Sequence, residues 1–452
     1  MIHMNVPFKN YLAKIVLILL CFTQILIIGG AIISETKAAS SLKYQPFFYT
    51  FINYTSDSNQ MAISKDGKYL AISEYHVHSD SANAYLFKTE QDQIPITSDP
   101  IYTYTLKNVS FGWRSLALSG DGSILVLGSD QNNRTLYCIN TTSGDVIWKY
   151  EKNSTSNWDE IAVSEDGSQI FVAGNGIVYA FRKDNNQTLW IYNVSTMISP
   201  IFSQFRGIAL SEDADYLAVI LYDVTKSYLY LLNKTSGFLI WSYTFSNPIG
   251  SVDISRDGEI LAVGGYNGVL YVFNKDSNST LFTWATSELI SDVCITPDGN
   301  YIAAGSFSNQ LRIFTKSGTA ILEKTLNDKV TTIDMSTDGK LLIAGTILGD
   351  LYLYEVNPEG SDDLLLDLFI DNCRINAAIF GGTASIFGFL TENGIAMIYQ
   401  EQPTIIGSTI LSEIMPFIAM GFGVSTLGLA IALGIAIAKG KKRENRRKTQ
   451  SK

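Results

Sequence analysis

The chain has 452 residues, 12% of them aromatic and only 17% charged, with 35 Gly against 10 Pro. That balance describes strands and tight turns and excludes a disordered or coiled-coil protein. The formal net charge is −10, and residues 1–438 alone carry −17, an acidity that argues against nucleic acid or anionic lipid as ligands.

At the N-terminus, Lys9 and Lys14 precede an uncharged run from Ile15 to Ile33, followed by the small residues Ala38, Ala39 and Ser40. Residues 1–40 therefore read as a signal peptide, or as an uncleaved N-terminal signal anchor, that exports the region beyond residue 40.

From residue 41 to 404 one pattern recurs: an apolar strand, a Ser-x-Asp-Gly turn, and a second strand ending in Gly or Ser. It begins at Met61, Leu116, Ile161, Ile208, Val252, Val293 and Ile333. A tight hairpin needs a residue at positive φ, which Gly supplies, and an Asp that accepts a backbone hydrogen bond. The turn aspartates (Asp66, Asp121, Asp166, Asp213, Asp257, Asp298, Asp338) are 40 to 55 residues apart, the length of a four-stranded propeller blade. The other half of each unit adds two strands, as in LYCINTTSGDVIWKYE from Leu136. An eighth unit from Ile375 has three strands, and residues 47–52 (FFYTFI) supply its missing outer strand and close the ring. The fold class predicted is all-β, an eight-bladed propeller of four-stranded antiparallel blades, or seven-bladed if the last unit forms no blade.

Nine Asn-x-Ser/Thr sequons lie in this region, at Asn53, Asn108, Asn133, Asn140, Asn153, Asn186, Asn193, Asn233 and Asn278, and they predict an N-glycosylated, exported protein. Asn140, Asn186, Asn233 and Asn278 fall in third-to-fourth strand turns, and the others in connections of the opposite face. None occurs from residue 279 to 404, so blades 6 to 8 form a bare sector able to dock a partner subunit or rest on the membrane.

Candidate chemistry is sparse. His76 and His78 form HVH, which would aim both rings to one face of an extended strand as a metal pair requires, but no third ligand is identifiable and no metal site is assigned. Each turn aspartate offers one carboxylate where calcium takes about six to eight oxygens, so these are turn formers. Cys138, Cys294 and Cys373 have no CxxC spacing and read as buried, unpaired core residues. No catalytic residue is assigned.

After a linker, 405–413, a second uncharged run of 25 residues spans 414–438, about 37 Å of helix and enough to cross a hydrocarbon core of about 30 Å. The tail, 439–452, holds eight Lys or Arg against the single Glu444, which places it in the cytoplasm and the propeller outside the plasma membrane. Small residues at Gly428, Ala432 and Ala436 offer a surface for pairing two such helices into a homodimer.

The run from Cys138 to Trp148, CINTTSGDVIW, resembles the tryptophan-docking repeat of quinoprotein alcohol dehydrogenase-like propellers. Trp190 and Trp241 stand at the same offset in the next units, before Phe282 and Leu322 replace them. The Ser-x-Asp-Gly half is similar to a WD40-type repeat, although the Gly-His and Trp-Asp pairs of that family are absent. The resemblance covers residues 44–402 and implies a fold, with Trp148, Trp190 and Trp241 as packing residues between blades. Cofactor-using quinoproteins hold a vicinal disulfide against the quinone; this chain has no adjacent cysteines, so no cofactor is expected. The expected function is a non-enzymatic surface module that binds protein or glycan partners. The alternatives are a membrane-bound quinoprotein-like oxidoreductase and an envelope component like the eight-bladed lipoprotein of outer-membrane assembly.

Overall fold

The computed structural model describes residues 44–401, apart from the connections 52–59, 74–80, 90–98, 108–112, 130–133, 152–157, 175, 195–202, 224–225, 358–362, 371–372 and 383–384. The signal, the linker, the apolar run at 414–438 and the tail lie outside the described residues, as do His76, His78, Asn53, Asn108, Asn133 and Asn153. No helix among the described residues is long and apolar enough to cross a membrane.

Eight four-stranded antiparallel sheets make up the fold among the described residues, seven of them meanders in which strands pair in chain order. Blades 1 to 7 cover residues 60–107, 113–151, 160–193, 203–245, 249–285, 290–325 and 330–369. Blade 8 takes three strands from residues 375–401 and its outer strand from Tyr44–Phe51, which pairs with Ile395–Glu401 in a register running from Tyr44 opposite Glu401 to Phe51 opposite Ile395. The closing strand begins three residues before the expected segment because Tyr44 packs on Phe387, with ring centroids 5.5 Å apart, and so extends the pairing.

First strands of neighbouring blades contact one another all the way round, including blade 8 with blade 1, so they line an axial bore. The buried side chains fall into eight clusters, one at each junction between adjacent blades. The core therefore lies between sheets rather than within one, which is why second strands read as continuous apolar runs. Ile124–Ser129, Ile260–Gly265 and Leu341–Thr346 are buried at every residue, with sheets packed on both faces. Glycine ends such strands because the next blade approaches closely: a Cβ on Gly345 would lie 2.5 Å from Cγ2 of Ile375.

Six of the eight first hairpins are held by one device. In blade 1, Ser64 Oγ donates to Asp66 Oδ1 at 2.7 Å and accepts from Tyr69 N at 3.0 Å, while Asp66 Oδ1 also accepts from Lys68 N. The arrangement repeats at Ser119, Ser164, Ser255, Thr296 and Ser336, with Gly67, Gly122, Gly167, Gly258, Gly299 and Gly339 at positive φ. Blade 4 departs from the expected turn. Ala214 stands where the others have Gly, Ser211 Oγ donates to Ala214 O instead, and Asp213 is released to face Arg256.

Candidate functional site

Three surfaces of a propeller can carry function: the bore, the face bearing the first and third turns, and the face bearing the remaining connections.

The bore holds three carboxylates on successive first strands, Asp253, Asp292 and Asp334. Each lies partly open to the bore yet enclosed by protein, and each reaches the next blade. Asp253 Oδ2 accepts from Ile295 N at 2.7 Å, Asp292 Oδ2 from Ile333 N at 3.0 Å, and Asp334 Oδ2 from Phe380 N at 2.7 Å. Their other oxygens accept from the N–H of the following residue, at Ile254, Val293 and Met335. Asp159 does the same for Phe205 N between blades 3 and 4. Desolvation dominates over these hydrogen bonds and raises Asp253 to about 7, Asp292 to about 6 and Asp334 to about 7. Perturbed carboxylates in a channel commonly mark catalysis. Here every one is committed to the backbone of its neighbour, so these side chains clasp the inner edges of blades 5 to 8. No group of three or more His, Cys, Asp or Glu among the described residues is placed to hold a metal.

On the turn face, the second residue of each Ser-x-Asp-Gly turn rings the mouth of the bore. Lys65 Nζ of blade 1 meets Glu165 Oε2 of blade 3 at 2.6 Å, and Arg256 Nη1 of blade 5 meets the same oxygen at 2.7 Å. Arg256 Nε also holds Asp213 of blade 4 at 2.9 Å, and Glu212 Oε2 accepts from Glu165 N. Burial pushes Glu212 up from the ordinary carboxylate range. The network links blades 1, 3, 4 and 5 across this face.

The connection face has a different chemistry. Arg206 Cζ lies 5.0 Å from the ring centre of Tyr222 and 5.8 Å from that of Tyr266, and its Nη1 donates to Tyr266 Oη at 3.1 Å. Tyr266 is 44% exposed. In blade 6, Lys329 of the next blade stands over Phe307 at 5.4 Å while pairing with Glu288 at 2.8 Å. Leu348, in the corresponding turn of blade 7, is exposed. Cations held against partly exposed aromatic rings give this face an amphipathic patch across blades 4 to 7.

The residues singled out by sequence are dispersed. Trp148, Trp190 and Trp241 lie on fourth strands and donate Nε1 to the carbonyls of Lys183, Lys234 and Lys275, each in the third turn of the following blade, at 3.0, 2.9 and 2.7 Å. The ring of Trp190 covers Gly237, where a Cβ would sit 2.5 Å from Cδ2. Tyr102 and Phe282 stand against Gly144 and Gly318 in the same way. Asn140, Asn186, Asn233 and Asn278 lie in or beside third turns, and Asn193 ends the fourth strand of blade 3. Cys138, Cys294 and Cys373 are buried and unpaired. The bore aspartates escaped sequence reasoning although a signal existed: the position of Asp253 and Asp334 is alanine in the first four repeats, at Ala62, Ala117, Ala162 and Ala209.

A family model described as outer membrane protein assembly factor BamB matches residues 104–322, just under half of the chain. That match runs from the fourth strand of blade 1 to the fourth strand of blade 6. No curated protein matches the sequence. Among solved structures, Sqt1 from Chaetomium thermophilum, bound to the N-terminus of ribosomal protein L10, is 17% identical with a TM-score of 0.62, covering 79% of this chain and all of that one. Sqt1 alone gives a TM-score of 0.64 at 17% identity, over 80% of this chain and all of its own. A chain of the mitotic checkpoint complex gives 0.52 at 16% identity, over 64% of this chain and 86% of that one. At these identities the likeness is one of fold, and the chain is an eight-bladed propeller whose blades 2 to 6 are similar to BamB and whose ring is similar in fold to Sqt1.

Proposed function

We propose that this chain is an exported scaffold, held in the plasma membrane by residues 414–438 with its tail in the cytoplasm, whose propeller binds a protein partner on the connection face. The observation that carries this reading is the Arg206–Tyr222–Tyr266 stack of blades 4 and 5, with a second cation–ring pair, Lys329 over Phe307, in the blades that follow. Arg and partly exposed aromatic side chains, already ordered by mutual contact, are the residue types that anchor protein interfaces. The described turn-face charges are occupied by their own ion pairs, and the bore carboxylates Asp253, Asp292 and Asp334 by the backbone of neighbouring blades. Two of the solved propellers named above were crystallised in assemblies, one on a ribosomal protein segment and one in a checkpoint complex, which supports binding as the use of such a ring.

The match to BamB favours a more specific form of the same reading, a scaffold within an envelope assembly.

Two measurements test the proposal. Protease added to intact cells should remove the propeller and leave a membrane-held C-terminal fragment; a protected propeller refutes export. Cross-linking in the native membrane, repeated with an Arg206→Glu/Phe307→Ala variant of unchanged melting temperature, should lose the principal cross-linked protein. A partner retained in full by that variant would place binding elsewhere.

A further inference from the structure

The outer strands of the blades differ sharply in what they expose. An outer strand pairs on one side only, so its other edge is a template for association, and apolar side chains along it aggravate the hazard. Blades 2 to 5 leave such side chains open on or next to the fourth strand: Val146 and Ile147, then Leu189 and Ile191 (53% exposed), then Phe238 (76%), Leu239 and Ile240, then Leu281 (50%). In blade 6 the same strand, Ala320–Thr325, exposes Glu323 and Thr325 and no large apolar residue.

Those four blades are also the ones with a sequon in the third turn. Asn140 precedes Val146, Asn186 precedes Leu189, Asn233 precedes Phe238 and Asn278 precedes Leu281, each by three to six residues, and blade 6 has no sequon at all. The asparagines sit against the edges in question. Asn186 Nδ2 donates to Lys149 O on the outer strand of blade 2 at 2.9 Å, and Asn278 Nδ2 to Ser242 O on that of blade 4 at 3.2 Å. Asn140 and Asn233 instead turn Oδ1 inward to accept from their own turns, at Ser143 N and Ser236 N. An asparagine amide carries two hydrogens, so a sugar on Nδ2 leaves one for the bond to the neighbouring strand.

We infer that N-linked glycans on Asn140, Asn186, Asn233 and Asn278 form a shield over the apolar outer edges of blades 2 to 5. This rests on the export reading above. A glycan is bulky and hydrated. Rooted beside the fourth strand, it denies that strand's open edge to a second chain, and four such blades of eight keep half of the rim from associating. Ile101, just before the fourth strand of blade 1, and Leu364 in blade 7 are also exposed without a sequon in their third turns, and both lie outside the run of four blades.

The test removes each sequon through its threonine, so that the asparagine hydrogen bonds survive: Thr142→Ala, Thr188→Ala, Thr235→Ala and Thr280→Ala. Full-length protein is purified in detergent from the cells that make it. Peptide mapping should find sugar on all four asparagines of the wild type. The variant should keep its melting temperature but associate, with a several-fold rise in the high-mass fraction on light scattering. Adding Leu189→Thr, Ile191→Thr, Leu239→Thr and Ile240→Thr should restore the monomer. Bare asparagines on a propeller that protease reaches from outside would overturn the shield while leaving export intact; bare asparagines on a protected propeller would overturn both. Occupied sites whose loss causes no association would also overturn it.

Discussion

Trp190 and Gly237 show how one blade is fastened to the next. The indole buries its ring on a glycine at φ 73° and gives its N–H to Lys234 O. Two terms therefore oppose any side chain at residue 237: the left-handed backbone and the ring above it. Gly237→Ala should lower stability by about 1–3 kcal/mol, and Trp190→Phe, which keeps most of the ring but loses the donor, by about 1 kcal/mol. Chemical denaturation of the propeller reads both; a Gly237→Ala variant as stable as the wild type would show that the ring moves aside freely. The tryptophan offsets were legible in the sequence because they recur at fixed spacing. Their acceptors were not, since a backbone carbonyl has no residue signature. The same holds for Asp253, Asp292 and Asp334, whose partners are main-chain N–H groups of the following blade.

At the scale of elements, the closing strand decides whether the last blade is complete. Tyr44–Phe51 completes the last blade, burying Phe48 against Phe87 of blade 1, with ring centroids 5.5 Å apart. Phe48→Ala should cost about 3–5 kcal/mol. A chain lacking residues 44–51 leaves Ile395–Glu401 with an open edge, and it should lose monodispersity on size exclusion and regain it when a peptide of residues 41–52 is added. An unaltered elution profile and melting curve after the deletion would mean that the ring does not depend on this strand. Turn chemistry made the first hairpins readable, because Ser-x-Asp-Gly is a local instruction. Blade 4 was misread, for with Ala214 in place of glycine the local rule fails and Asp213 answers to Arg256 across the face instead.

For the whole molecule, two sets of carboxylates pull stability in opposite directions with pH. Asp66, Asp121, Asp166, Asp298 and Asp338 are lowered by hydrogen bonds from their turns, which outweigh the desolvation each carries. Their contribution is present above the ordinary carboxylate value and is lost as pH falls through the lowered one. The bore carboxylates are raised. A folded-state value above the unfolded one favours the protonated fold, so their contribution is complete below the ordinary value and is lost as pH rises through about 6 to about 7. The melting temperature should therefore rise by a few degrees between about pH 8 and about pH 5 and fall again in stronger acid. An Asp253→Asn/Asp334→Asn variant should retain the acid limb and flatten the neutral one. A wild type whose stability climbs from pH 5 to pH 8 contradicts the assignment. Ring number and ring closure were legible because periodicity is a property of the sequence. The division of labour between the two faces was not, since it depends on which turns meet across the axis.

Because the closing strand is the first part of the ring to be synthesised and its partner, Ile395–Glu401, the last, the order of synthesis matters to this fold. At about 5–20 residues per second, residues 44–51 wait roughly 20–70 s for a partner while seven blades form behind them. During that interval the aromatic-rich segment YQPFFYTF is a strand with no sheet to join. A ribosome that stalls anywhere before residue 395 therefore leaves an open ring with a sticky leading end, and whatever escorts the nascent chain has to guard that end from the start.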